Sequence, residues 1–359
     1  MKILDYYIIK KFLGTYFYSI VLIISVAIVF DISEKLDDFI DKQAPIKEIV
    51  FDYYLNFIPY FTNLFSYLFT FISVIFVTSK MASDTEIIAI LNSGVSFNRF
   101  LRPYFISALV IASLNYTLGN FIIPPASKVK LAFEEKYLRN PIRYSDRNLH
   151  KQIEPNVFIY LDNYNNMENV GSKFAIEKFE NKQLISQLNA ELIKWDSIKN
   201  NWSIINYRIR NINSEFVEEF KTGSQIDTSI NLHPSEFALR DNVVESMNLF
   251  QLDKFIEDQQ MKGAEDIEVF LIEKYSRLAS PFATFILTLI GVSIASRKVK
   301  GGIGFHIGLG FLFSFSYILF MQISVTFSVE GSMNPMLAVW IPNIIFTIIA
   351  LILYRLSPK

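Results

Sequence analysis

The sequence predicts an α-helical polytopic membrane protein with six transmembrane helices and an all-β domain inserted between the third and the fourth. Three observations predict it. Six long stretches are apolar and nearly free of charge, although 19% of the 359 residues are charged, and a helix of about 20 apolar residues crosses a bilayer. Basic residues flank these stretches on alternate connections. The long polar stretch from Ser127 to about Lys274 is built of short runs rich in β-branched and aromatic residues.

The first apolar run, Phe12–Ile32, follows Lys2, Lys10 and Lys11. It exceeds the roughly 7–15 residues of a signal-peptide core, and DISEKLDDF after it holds no small-residue cleavage site, so it reads as a retained span. Asp31, near its end, reads as an interfacial residue beside Glu34 and Lys35. The second and third runs are Tyr53–Ser79 and Pro103–Ala126; the last three are Leu278–Ser296, Ile303–Val329 and Pro335–Tyr354. Pro59, Pro281 and Pro342 fall inside spans, where neighbouring helices re-satisfy freed backbone groups and kinks are expected. The glycines of VKGGIGFHIGLG open the fifth run and suit close helix packing.

Orientation follows from the flanking cations. Lys2, Lys10 and Lys11, then Lys80, Arg99 and Arg102, then Arg297, Lys298 and Lys300, then Arg355 and Lys359 all fall on one side if each run crosses once. That side is the cytoplasm, with both termini in it; the insert lies outside. The expected organisation is 1–126 for three spans, 127–265 for the β domain and 266–359 for the last three spans.

Within the insert, NVFIYLDNY (156–164), LISQLNAELIKW (184–195) and WSIINYRIRNI (202–212) read as strands. Leu184, Leu188, Ala190 and Leu192 alternate against Gln187, Asn189 and Glu191. Asn163–Asn169, Asn200–Asn201 and Thr222–Ser224 read as turns. Short strands at this spacing suggest a sandwich or open barrel. MNLFQLDKFIEDQQMKG (247–263) is a helix by the spacing of Leu249, Leu252, Phe255 and Ile256, with Gly263 as its stop.

Several functions are excluded by what the chain lacks. Net charge is −1, so bulk attraction to nucleic acid is not indicated. There is no cysteine, hence no disulfide, zinc–thiolate site or thiol nucleophile. No GxxxxGK[ST] loop is present, and His150, His233 and His306 have no metal-ligand spacing. His150 and His233 read as solvated, His306 as an interfacial or packing residue. Ion-driven carriers keep ionisable groups at membrane depth, and only Asp31 approaches that position. If the chain moves something, another polypeptide supplies the energy.

SDTEIIAILNSGVS, between the second and third spans, is where such a polypeptide could act. Ser83 and Glu86 match the S-x-x-E capping box, Gly94 suits the helix stop, and Ile87, Ile88, Ile90 and Leu91 share one face. The stretch predicts a short amphipathic helix of about ten residues. Its residues fit a docking helix and an ordinary interfacial turn equally well.

KMASDTEIIAILNSGVSFNRFLRP, the helix MNLFQLDKFIEDQQMKG, RLASPFATFILTLIGVSIASRKVKGG and the run around Pro335 and Trp340-Ile341-Pro342-Asn343 together resemble the LptF/LptG (YjgP/YjgQ) family of lipopolysaccharide export permeases. The resemblance implies a periplasmic β-jellyroll-like domain and a permease subunit of an ABC-type exporter in the inner membrane of a Gram-negative-type bacterium. It implies a sibling LptF/LptG-type permease, an LptB-like cytoplasmic ATPase dimer that hydrolyses the ATP, and LptC- and LptA-like periplasmic proteins that receive the lipid. It makes residues 83–94 the coupling helix, with Glu86 at the family's acidic contact. Ser83, Asp84, Ile87, Ile90 and Leu91 complete the expected ATPase interface. This chain binds no metal or cofactor itself on that reading. The family's substrate-holding cations do not map one for one; Lys35, Lys128 and Lys130 are the candidates for lipid phosphate contacts. The acidic surround of Lys35 fits a less anionic lipid or bridging divalent cations. A rival from another class is a non-transporting scaffold that presents its β domain to envelope partners.

Overall fold

The computed structural model describes residues 3–138, 147–165, 168–197, 199–212, 217–230, 232–234, 241–262, 267–297 and 302–357. Lys2, Gly263, Lys298, Lys300 and Lys359, used above, lie outside the described residues. The chain forms two units: residues 1–138, 244–250 and 268–359, and residues 139–243 and 251–267.

Six helices of the first unit are long and apolar enough to cross a membrane. The first is α1 (Ile3–Asp41). At about 1.5 Å per residue it is about 58 Å long, twice the ~30 Å hydrocarbon core, so both charged ends lie outside that core. A short turn, α2 (Ile46–Glu48), and a π-helical stretch, Ile49–Tyr54, lead into α3 (Leu55–Ser83). After α4 (Glu86–Asn92), helix α5 (Phe97–Thr117) continues through a second π-helical stretch, Leu118–Ile122, into α6 (Ile123–Tyr137). The boundary expected at Ser127 therefore lies further on: Phe133 and Tyr137 are buried in the bundle with Phe39, Tyr53, Tyr54 and Phe57, and Leu138 closes the helix. The remaining spans are α8 (Ile267–Ala295), α9 (Gly302–Val329) and α10 (Pro335–Leu356). Helices run uninterrupted through Pro59, Pro281 and Pro342.

Lipid supplies no hydrophobic drive between helices, so packing and interhelical hydrogen bonds hold them. Asn343 of α10 donates to the Ala279 carbonyl of α8 at 3.2 Å and accepts from Tyr317 of α9 at 2.9 Å. Thr78 of α3 donates to the Tyr104 hydroxyl of α5 at 2.9 Å. Tyr16 of α1 and Ser66 of α3 share a 2.7 Å hydrogen bond. Of the glycines opening α9, Gly310 fits the close-packing reading: a Cβ there would lie 2.9 Å from Ile75. Gly304 and Gly308 face open space instead. His306 is buried and donates from Nε2 to the Arg297 carbonyl at 3.0 Å.

In the second unit six antiparallel strands, β1 (Arg147–Glu154), β2 (Val157–Asn165), β3 (Val170–Glu180), β4 (Gln183–Asp196), β5 (Asn201–Ile212) and β6 (Glu218–Thr228), form one sheet in sequence order. The all-β insert is thus present, and its described strands are an up-and-down meander; the crossover that defines a jellyroll is not among them. Helix α7 (Leu249–Met261) ends beside β1, where the Gln152 amide donates to the Lys262 carbonyl at 3.0 Å.

The strands do not keep a simple alternation. Their continuous pairing skips one row that crosses the sheet at Asp162, Lys173, Glu191 and Asn206. Lys173 and Asn206 sit at φ 51° and 53°, a conformation in which one residue reverses the side-chain parity of a strand. Core residues therefore change phase across the row: Leu161 then Tyr164, Ala190 then Ile193. This corrects the expected alternation of β4, where Ile193 points into the core and Leu192 is exposed. The row is polar and cross-linked by Lys173–Asp162 at 2.9 Å and Asn206–Glu191 at 2.7 Å. Thr222–Ser224 is not a turn but the middle of β6, where Gly223 leaves room for the Tyr207 ring.

Candidate functional site

Residues 83–96 fold as expected in outline and differently in detail. Ser83 is the last residue of α3, so the capping box does not form. The chain turns through Thr85, at φ 60°, and α4 starts at Glu86 with no side-chain cap. Nothing between Lys80 and Ser83 breaks α3, so that helix takes Ser83 before α4 can use it. Seven residues are helical, short of the expected ten, and Gly94 at φ 85° closes them.

The Glu86 carboxylate points to α1. The Tyr7 hydroxyl lies 2.9 Å from both of its oxygens, and Lys11 Nζ lies 3.3 Å away and also contacts Tyr7. The Glu86 side chain is still 30% exposed. The apolar face is divided. Ile87 is 1% exposed, in a core shared with Ile8 and Phe12 of α1, Met81 of α3 and Phe100 of α5. Ile90 and Leu91 pack against the same core. Ile87 is therefore not available to a partner's groove, contrary to the expected interface; Ser83, Asp84 and Ile88 are exposed with Glu86 beside them. Beyond the loop, Arg99 in the first turn of α5 makes a bidentate pair with Asp5 of α1, at 2.6 and 2.8 Å. The starts of α1 and α5, the ends of α3 and α8 and Tyr354 of α10 meet in this one core. Lys10, Lys80, Arg99, Arg102, Arg297 and Arg355 lie at these helix ends.

At the opposite end of α1 the three candidate lysines differ. Lys35 is paired with Asp31 at 2.5 Å and contacts the Tyr53 hydroxyl. Asp31 also accepts from Tyr54 at 3.0 Å, so this interfacial residue anchors the start of the second span. Lys130 pairs with Glu134 at 3.2 Å, its ammonium 5.7 Å from the Tyr60 ring centre. Lys128 is exposed.

A cavity of about 190 Å³ opens among α3, the α5–α6 junction, α8 and the 3-10 turn Asp241–Ser246, lined by Asn63, Asn115, Tyr60, Glu245, Glu273 and Arg277 among others. Both side-chain atoms of the buried Asn115 and the Asn63 Oδ1 lack a protein partner. A polar cavity of this size has room for water molecules, which would satisfy them. Arg277 donates to the carbonyls of Met247 and Val244 at 2.7 and 2.9 Å and holds that segment on the bundle. Burial, then the neighbouring Glu273 charge, pushes the Glu245 carboxyl up to about 7 against the opposing pull of Lys130 and Arg277. No sequence pattern pointed to this cluster, because its members come from four separated segments.

Among the described residues no group of three His, Cys, Asp or Glu side chains could hold a metal ion. The model of the family described as lipopolysaccharide export system permease LptF/LptG matches residues 6–356. No curated protein matches the chain in sequence.

Proposed function

The chain belongs to the LptF/LptG family of lipopolysaccharide export permeases, and on that premise we propose how this member is driven. It is a multi-pass membrane permease of the lipopolysaccharide export system, and subunits of this family lack ATPase domains. The work is done by a separate LptB-like ATPase dimer that docks on α4 from the cytoplasm. Glu86 is its ionic contact, with Ser83, Asp84 and the exposed Ile88 around it. Ile87, Ile90 and Leu91 act from beneath, joining α4 to the spans. The observation that carries this reading is the division of α4: a half-exposed carboxylate on one side, and on the other an apolar face seated in the core of α1, α3 and α5.

In this reading the basic helix ends face the cytoplasm of a Gram-negative-type cell and the β unit faces the periplasm. Closure of the ATPase moves α4, and α3 and α5 shift with it. The cavity between this chain and its sibling permease narrows and expels lipid toward the β unit and on to LptC- and LptA-like proteins. Faces of α1 and α9 line the lateral opening; the exposure of Phe17, Val21 and Phe30, and of Phe311, Phe315 and Leu319, supports this. Acyl chains against such faces gain roughly 0.8 kcal/mol per buried CH₂. Lys128 is the first candidate for a lipid phosphate, while Lys35 and Lys130 reach one only by leaving Asp31 and Glu134; a divalent cation would instead bridge the phosphate to the carboxylates around Lys35.

Affinity purification from native membranes tests the assembly. The expected result is a co-purifying ATPase and sibling permease with the wild-type chain and loss of the ATPase with Glu86→Lys. A Glu86→Lys chain that retains a normally active ATPase contradicts the role given to α4.

A further inference from the structure

We propose that α1 is driven directly by the 86–99 segment, α4 with the first turn of α5, and that Asp5 and Arg99 are the positioning residues that make segment and helix move as one body. The inference rests on the reading of α4 as the docking helix and adds what that helix pulls. Two bridges, one at each end of the 86–99 segment, run to the first turns of α1. Glu86 opens the segment and is held by Tyr7 and Lys11. Arg99 closes it and is held by Asp5. Between them Ile87 is buried against Ile8 and Phe12 of the same α1 turns. The contacts thus line one side of the first turns of α1, and its ion pairs join residues 75 and 94 positions apart.

The geometry fits a mechanical link rather than a surface ion pair. Exposed pairs are worth little, but a bidentate guanidinium–carboxylate pair fixes direction as well as distance. Here the carboxylate side is 7% exposed and the guanidinium 24%. Separating α1 from α5 breaks both bonds of this pair and withdraws the guanidinium from a buried carboxylate, so it is opposed. Beyond these turns α1 packs on one face, through Tyr16, Ile20 and Ile24, and 22% of its apolar window is buried. A continuous helix gripped at one end passes a displacement of that end along its axis. At the far end lies the Asp31–Lys35–Tyr53 cluster, so a displacement carried along α1 arrives at the groups that join it to the start of the second span.

The test measures lipopolysaccharide released from proteoliposomes per ATP hydrolysed by the assembled complex of this chain, its co-purified permease and the ATPase. Asp5→Asn and Arg99→Gln are expected to keep assembly and ATP hydrolysis while release per ATP falls about tenfold, as expected for loss of one partner of a buried pair. The double variant Asp5→Arg with Arg99→Asp restores the pair and most of the release. Unchanged release per ATP in both single variants overturns the proposal. So does loss of ATPase binding in the single variants, which makes the pair a part of the docking surface or of the fold. Glu86→Lys, run in parallel, separates the two ideas. If it leaves ATPase binding intact, the docking role of α4 falls; if it abolishes binding while the Asp5 and Arg99 variants transport normally, only the link to α1 falls.

Discussion

At its N-terminal end α1 is held by charged groups that reach it from residues 75 and 94 positions away. At its C-terminal end the charged contact is a pair one turn apart, Asp31 with Lys35, set in a box of Phe39, Tyr53, Tyr54, Phe57 and Phe133. The first arrangement ties α1 to a short helix with few contacts of its own. The second packs α1 against the start of the second span and neutralises its own cation. One end is tied to the docking segment and the other to the start of the second span.

Four substitutions break or sharpen that contrast, in falling order of effect. Glu86→Lys should abolish ATPase association in pull-down, because it replaces a carboxylate contact with a like-charge clash; an effect below tenfold contradicts the ionic role. Phe133→Ala in the aromatic box should cost about 3–4 kcal/mol of unfolding free energy while ATPase association persists, since a buried ring is removed far from α4. Loss of ATPase association in that variant would mean that the ends are not separable. Asn343→Leu should cost about 1–2 kcal/mol through its two lost interhelical hydrogen bonds, read as a lower thermal midpoint in detergent.

The smallest effect concerns pH. The folded-state pKa of Glu245 is raised by burial to about 7, above the ordinary carboxylate value. Its contribution therefore favours the folded state at acid pH and is lost as pH rises through about 7. Glu245→Gln should remove that slope and gain about 1 kcal/mol at pH 8, a figure reduced for partial solvent screening. Parallel thermal midpoints of the two proteins from pH 5 to pH 8 would rule out Glu245 as the source.

The spans were legible because a run of about 20 apolar residues is a local property that needs no knowledge of partners. The position of α4 was legible for the same reason, through Ile87, Ile90, Leu91 and Gly94. Its N-terminus was not, because Ser83 fits a capping box and equally fits one more residue of α3, and only the left-handed turn at Thr85 decides between them. Nor could a pattern within 83–96 reveal that Glu86 faces Tyr7 or that Arg99 faces Asp5. In the β unit, β2, β4 and β5 announced themselves by apolar runs. RNLHKQIE and EEFKTGSQIDT did not, because β1 and β6 are held by the ladders to their neighbours more than by buried side chains of their own. The polar row through Asp162, Lys173, Glu191 and Asn206 reverses strand parity in several strands at once, which alternation within one strand cannot foresee.

The most direct test of the whole account is ATP-dependent release of lipopolysaccharide from proteoliposomes holding the native complex, compared between wild type and Glu86→Lys. The account predicts release that requires ATP in the wild type and falls to the ATP-free level in the variant. Equal ATP-dependent release from both, or release that needs no ATP, would contradict it.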